Sequence, residues 1–211
     1  MEIGLSPSDA FSSTELIPDD FFRRLEVGEI FPSNPEAPLE IDLGAGDGGF
    51  LMAMADHYPE RNFIAVERLL GRVRKISRDA SREGRENVRV LRLETTYAVE
   101  RLLPQRACRV HLLFPDPWPK KKHHKRRLMA LPSFLRSVHG LLTEGGEFLF
   151  KTDHEEYFEH VAEVMPEIDF FESCDWPDEE GANGFYYPQT DFEKQWLEQG
   201  RSIQRLRLRK L

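Results

Sequence analysis

The sequence predicts an α/β fold: a seven-stranded, mostly parallel sheet with helices on both sides and an antiparallel hairpin at one edge. Three observations predict it. From residue 39 onward, short apolar runs alternate with amphipathic stretches, and repeated strand–helix units close into parallel sheets. A glycine-rich loop follows the first of those runs. The chain ends in Arg205-Leu206-Arg207-Leu208-Arg209, a strict alternation that reads as a strand with one buried face. The length of 211 residues suits one domain with at most a small extension.

Residues 1–15 are polar and small (Ser6, Ser8, Ser12, Ser13) and read as a mobile arm. A short helix is expected after Pro18, with Phe21, Phe22 and Leu25 as its apolar face, then an extended linker at Pro32, Pro35 and Pro38. This divides the chain into an N-terminal arm and short helix, residues 1–38, and one domain, residues 39–211. Strands are expected at 39–43, 62–66, 88–93, 110–114 and 147–151, the last entered through the Gly145-Gly146 turn. Between them lie helices at 50–57, 69–81, 97–103 and from about Pro132. In the second of these, Leu69, Val73, Ile76 and Ala80 share a face opposite Arg74, Arg78 and Arg82. A further helical stripe (Tyr157, Phe158, Val161, Val164, Met165), a strand at 168–172, a helix at 192–199 stopped by Gly200, and the final strand complete the pattern. In such a sheet, ligands bind beyond the carboxyl ends of the strands, so chemistry is expected in the loops that follow them.

Composition removes several classes. Hydrophobic residues make up 40% and charged residues 31% of the chain, enough for one core and unlike a disordered segment. No apolar run approaches the ~18 residues of a membrane span. The first residues lack a signal peptide's basic and apolar regions. Two cysteines, Cys108 and Cys174, cannot build a disulfide framework or a four-ligand zinc site, which argues for a reducing, cytoplasmic setting. The net charge of -8 hides a segregation. Residues 61–127 carry 19 Lys/Arg against 7 Asp/Glu, whereas residues 153–193 carry 14 Asp/Glu and no Lys/Arg. A basic pole steers a polyanion whatever the total charge, although a solvated helix face beside an acidic loop gives the same count.

The loop after the first strand reads Asp42-Leu43-Gly44-Ala45-Gly46-Asp47-Gly48-Gly49. Gly44 and Gly46 permit a tight turn with backbone close to a ligand, and Gly48 permits close helix packing. Glu67 closes the second strand about 25 residues after Asp42, placed to accept both hydroxyl hydrogens of a ribose. The pair signals an adenosine-type cofactor. Gly44, Gly46 and Gly49 also satisfy the dinucleotide pattern, so NAD stays open on this loop. The acids Asp42 and Asp47 favour a cationic cofactor, S-adenosylmethionine, because carboxylates repel a pyrophosphate. Glu94, at the end of the third strand, is placed for an adenine contact or is an ordinary surface acid.

After the fourth strand stands Phe114-Pro115-Asp116-Pro117-Trp118-Pro119. Three alternating prolines stiffen it, and it offers one acid and one large aromatic, a platform for a target base. Lys120-Lys121-Lys122-His123-His124-Lys125-Arg126-Arg127 follows at once. A solvated charge run is the common explanation for such a tract; its attachment to the loop favours phosphate binding. His123 and His124 read as nucleic-acid contacts or spacers, with no metal expected, and Arg72, Lys75 and Arg78 extend the basic surface.

At these residues the sequence resembles the bacterial tRNA (guanine-N7-)-methyltransferase family, from about residue 39 to the C-terminus. The motifs that carry the resemblance are Asp116-Pro117-Trp118-Pro119-Lys120-Lys121 with His124-Lys125-Arg126-Arg127, then Phe150-Lys151-Thr152-Asp153, then Thr190-Asp191-Phe192-Glu193. The resemblance implies a Rossmann-like class I S-adenosylmethionine-dependent methyltransferase that modifies N7 of a guanine in the tRNA variable loop. It implies a cofactor site at Asp42, Gly44, Gly46, Glu67, Glu94 and Asp116, with Asp116 also the catalytic residue. It places tRNA or guanine contacts at Lys120, Asp153, Thr190, Asp191, Phe192 and Glu193. The family usually carries Glu where Asp42 stands and Asp where Glu94 stands. Trp118 or the Tyr186-Tyr187 pair is expected to stack on the unstacked base, and ordinary packing is the competing reading for these rings. A monomer is the default expectation. The rival readings are an NAD(P)-dependent reductase, a non-catalytic RNA-binding module, and a methyltransferase acting on another RNA or amine target.

Overall fold

The structure, a computed structural model, describes residues 14–177 and 185–211. The chain forms two compact units, Met1–Pro104 and Gln105–Leu211, and the fold is α/β, mostly parallel with an antiparallel edge.

The first unit contains β1 (Glu15–Leu16), α1 (Val27–Ile30), β2 (Leu39–Leu43), α2 (Gly49–His57), β3 (Asn62–Glu67), α3 (Leu70–Arg82), β4 (Val88–Arg92) and the single turn α4 (Thr95–Tyr97), which continues as a π-helical turn over Ala98–Leu102. Its strands run parallel in the order β1-β4-β3-β2. β2 and β3 are buried along their whole length, as apolar strands covered on both faces require. α3 buries Val73, Ile76 and Ala80 completely, the stripe expected from the sequence, while Leu69 stands outside it at the cap.

The second unit contains β5 (Ala107–Leu113), a 3₁₀ turn over Lys121–Arg126, another over Leu128–Ala130, α5 (Pro132–Leu141), β6 (Leu142–Thr152), α6 (Glu155–Val164), a 3₁₀ turn over Met165–Glu167, β7 (Phe171–Cys174), α7 (Asp191–Glu198) and β8 (Gln204–Lys210). β5 and β6 are parallel, and β8 lies antiparallel between β6 and β7. The expected edge hairpin is therefore present, with the chain's last strand inside β7. Phe134, Leu135, Val138 and Leu141 of α5, Phe148 and Phe150 of β6, and Tyr157 and Val161 of α6 form the core of this unit.

The structure corrects four expectations. The described residues hold eight strands, one more than expected, because Glu15, the last residue read as a mobile arm, and its neighbour Leu16 pair with Val90 and Leu91. The arm's residues 1–13 lie outside the described residues. No helix forms at Phe21 and Phe22; Phe22 is 90% exposed, and the helix begins only at Val27, capped by Glu26 and Glu29 reaching to each other's backbone. β6 runs through Gly145-Gly146 rather than starting after it. A Cβ on Gly146 would come within 2.9 Å of the Thr143 carbonyl, so glycine allows this close backbone approach. Finally, β7 starts three residues later than the strand expected at 168–172.

Candidate active site

In the first unit, the carboxyl ends of β2 and β3 hold the glycine loop and two acids. Gly44 and Ala45 donate their backbone N–H groups to the Val66 carbonyl at 2.8 and 3.0 Å, which pins the loop to β3. Gly44, Gly46 and Gly48 all have positive φ, at 78°, 61° and 87°, backbone that a side chain strains. Gly48 carries a second constraint, because a Cβ there would meet Ile76 Cγ1 at 2.7 Å. At Gly44 and Gly46 a Cβ would meet nothing within 4 Å, so the outer surface of the loop is open to a ligand.

Glu67 is 6% exposed. Its Oε2 accepts from the Gly46 N–H at 3.0 Å and its Oε1 from the Leu69 N–H at 2.8 Å. Each carboxylate oxygen has a second lone pair, so Glu67 locks the loop and retains acceptor capacity. Asp42 is 3% exposed. Burial, and secondarily the charge of Glu67, push its carboxyl up to about 7, as expected when ionised groups lose water beside a like charge. Two buried acids beneath an open glycine cradle suit a cation-bearing ligand. Asp47 is exposed and lies 3.8 Å from Lys75. Glu94 is exposed and caps α4, accepting from the Tyr97 N–H at 2.9 Å.

In the second unit, β5 and β6 end side by side, with Leu113 opposite Lys151. The loops after them carry Asp116 and Asp153. Phe114 and Trp118 have positive φ, 52° and 45°, uncommon for bulky residues and a mark of enforced conformation. The Phe114 N–H donates to the Lys151 carbonyl at 2.8 Å. Asp116 is exposed. Trp118 lies under the Arg126 guanidinium at 4.7 Å and 5.8 Å from the His123 ring. Asp153 pairs with Arg201 at 3.3 Å, and Arg201 stacks on Trp196 at 3.6 Å.

Lys120 is exposed and opens the 3₁₀ turn of the basic tract, its carbonyl accepting from the His123 N–H at 2.7 Å. Lys121, Lys122, Lys125 and Arg126 are exposed, whereas Arg127 is fully buried. Thr190 caps α7 by accepting from the Glu193 N–H at 2.9 Å. Asp191 is exposed beside Lys194 at 3.5 Å. Phe192 is 43% exposed, with ring contacts to Phe114 and Trp196 at 5.2 and 5.1 Å. Glu193 is fully buried. Its oxygens meet Lys151 Nζ at 2.9 and 2.7 Å, and Arg205 at 3.5 Å.

Sequence reasoning missed Lys151 as the partner that anchors Glu193. The signal available was a lone lysine inside the apolar run of β6. Of the aromatic pair offered for stacking, Tyr187 is 3% exposed and shares a 2.9 Å hydrogen bond with His111 Nδ1. It is core rather than platform. Tyr186 is half-buried.

A protein-family model described as "Putative methyltransferase" matches residues 36–206. The chain is 35% identical over 164 residues to the tRNA (guanine-N(7)-)-methyltransferase of Chlorobium phaeobacteroides, covering 76% of each protein. It is also 35% identical over 169 residues to the Salmonella typhimurium protein of the same name, covering 80% of this chain and 70% of that one. The chain belongs to the tRNA (guanine-N7-)-methyltransferase family. Membership makes it a methyltransferase with a methyl donor. The fold is shared more widely. A 16S rRNA methyltransferase, KamB, superposes with a TM-score of 0.60 at 20% identity, covering 87% of this chain and 92% of that one. The aminoglycoside resistance methyltransferase NpmB1 does so at 0.58 and 18%, covering 89% and 95%.

Proposed function

We propose that the protein transfers a methyl group from S-adenosylmethionine to N7 of a guanine in the variable loop of tRNA. The observation that carries the reading is the Phe114–Trp118 loop, held in left-handed backbone at both ends and followed at once by exposed lysines, in a chain whose curated relatives bear that name.

The cofactor reading is supported by Asp42, Gly44, Gly46, Glu67 and Glu94. Bound S-adenosylmethionine supplies an electrophilic methyl group on a positively charged sulfonium. The Gly46–Glu67 hydrogen bond fixes the loop before any ligand arrives, so little ordering is left for binding. Glu67's remaining lone pairs accept from ribose hydroxyls. Asp42 and Glu67 together favour a cation and disfavour a pyrophosphate, which counts against the reductase reading.

Guanine N7 has a lone pair and no proton, so no general base is required. The protein's task is alignment, worth effective molarities of ~10⁵ M or more, and placement of negative charge where positive charge arrives. Asp116, the catalytic residue in this reading, and Asp153 accept hydrogen bonds from guanine N1–H and the 2-amino group. Those donors become more acidic as N7 is alkylated, so the bonds strengthen in the transition state. Lys120, Thr190, Asp191 and Phe192 contact the substrate, with Glu193 anchoring their helix through Lys151. Trp118 offers the stacking face for a base taken out of its helix, since the major groove of A-form RNA is too narrow for side chains. The reading places the protein in the cytoplasm, working as a monomer, with residues 1–38 as an accessory segment ahead of the methyltransferase domain 39–211.

Incubation with radiolabelled S-adenosylmethionine and bulk tRNA tests the proposal, with NAD as the competing ligand in a filter assay. Label in tRNA, retention of the sulfonium donor and no NAD binding are expected. Asp116→Asn is expected to lower kcat at least 100-fold with tRNA binding intact; a folded variant with wild-type kcat would remove Asp116 from the mechanism.

A further inference from the structure

Arg127 is the one cation of the 120–127 tract that the described residues bury completely. In sequence it cannot be told from its neighbours. In the structure, all its nitrogens face inward. Nε donates to the Pro117 carbonyl at 2.8 Å, and Nη1 to the Glu156 carbonyl at 3.4 Å. Nη2 lies 3.6 Å from the Glu156 carboxylate, and the guanidinium sits 5.3 Å from the centre of the Tyr157 ring. Tyr157 is itself fully buried, and its hydroxyl accepts from the Met129 N–H at 3.1 Å.

A buried guanidinium is costly unless its donors are satisfied and its charge is matched. Here the shortest bond goes to the carbonyl of the residue directly after Asp116. That loop has few means of holding itself. Pro115, Pro117 and Pro119 have no N–H, so only Asp116 and Trp118 offer backbone donors between Phe114 and Lys120. Its left-handed residues, Phe114 and Trp118, persist only where surroundings impose them. The Phe114 N–H bond to the Lys151 carbonyl ties the loop at its start, and Arg127 ties it after the acid. A lysine cannot reproduce this, because only a planar fork reaches the carbonyl and the α6 groups together.

We propose that Arg127 is a positioning residue. It aims the Asp116 carboxylate by clamping the Pro117 carbonyl to the start of α6, and it makes no contact with RNA. The proposal rests on the assignment of Asp116 as the catalytic acid, but its structural part can be tested without activity. In Arg127→Lys, the backbone order parameter of Trp118 from ¹⁵N relaxation is expected to fall from a rigid value near ~0.85 towards ~0.6, with α5 and α6 unchanged. The kcat is expected to drop at least tenfold, with KM for tRNA and methyl-donor affinity within twofold of wild type. Combined with Asp116→Asn, the second change is expected to add no further loss, since an acid already removed has nothing left to aim. A raised KM for tRNA at unchanged kcat would overturn the proposal in favour of a phosphate contact. Losses that multiply in the double variant, or a Trp118 amide as rigid as in wild type, would overturn it in favour of a general packing role. Should Arg127→Lys not fold, Glu156→Lys sets a like charge against Nη2 from a half-exposed position. The same Trp118 loosening supports the clamp, and its absence contradicts it. If wild-type protein leaves tRNA unmodified, the functional reading fails while the relaxation result still decides the clamp.

Discussion

Helix α3 carries five cations in thirteen residues and the 120–127 tract six in eight, and the two regions use them in opposite ways. On α3, Arg72 lies 3.7 Å from Glu67, Lys75 lies 3.2 Å from Asp79, Arg78 lies 3.7 Å from Asp79, and Arg82 lies 2.8 Å from Glu83. These cations are largely neutralised within their own unit. Among the described residues, Lys121, Lys122 and Lys125 have no such carboxylate partner; they sit exposed on a 3₁₀ turn behind the Asp116 loop. A count of basic residues therefore overstates the surface available to a polyanion. A cation's worth to RNA depends on whether an acid already occupies it.

The largest effect is expected from the free cluster. Replacing Lys121, Lys122 and Lys125 together by Gln should raise KM for tRNA more than tenfold at about 0.15 M salt. It should also flatten the salt dependence by up to about 2.7 in log–log slope, taking ~0.9 per phosphate contact. Methyl-donor affinity should stay unchanged. Steady-state kinetics across a salt series read both numbers, and a loss of donor affinity with tRNA kinetics intact would reverse the assignment.

The acids beside α3 sharpen the contrast. Arg72 stands near Glu67, yet Asp42 is left with a carboxyl near 7. Its unfolded value is 3.8, so the folded state binds the proton more tightly. Stability from this group is present at low pH and is lost as pH rises through about 7. Asp42→Asn should therefore raise the Tm of the donor-free protein by a few degrees (about 2–6 °C) at pH 8 and by less than half as much at pH 5, because the loss develops between the unfolded value and about 7. Donor affinity in the wild type should rise as Asp42 ionises. Thermal melts and titrations across pH 5–8 check both.

The smallest effect belongs to the paired cations. Arg78→Gln on α3 should change KM for tRNA less than twofold, because this exposed cation is already matched by Asp79 and solvent screens what remains of its charge. An effect as large as that of the lysine triple would erase the distinction between the two regions.

Much of the fold was legible because period and punctuation agreed. Val73, Ile76 and Ala80 repeat at helical spacing, Gly44 to Gly49 mark the turn after β2, and the Arg–Leu alternation marks β8. What stayed hidden depended on partners distant in sequence. Glu15–Leu16 is too short to announce itself and becomes a strand only by pairing with β4. Phe21 and Phe22 look like a helix face, but they lack the mutual Glu26–Glu29 cap that starts α1. In the site, residue types were readable and orientations were not. Arg127 is written like its neighbours and points inward. Glu193 has the character of a ligand-facing acid and is held by Lys151, 42 positions away. Tyr187 and Tyr186 are adjacent, yet only Tyr187 is locked in the core by His111. Local sequence carries periodicity and chemistry; which side chain a buried partner captures is decided by tertiary packing.

The central claim is that this loop and its acids serve alkylation of the guanine imidazole nitrogen in tRNA. Nucleoside mass spectrometry of bulk tRNA after reaction with the purified protein and S-adenosylmethionine tests it most directly. The account predicts 7-methylguanosine, mapping to the variable loop. Unmodified tRNA, or methyl groups on an exocyclic amine or another base, would contradict it.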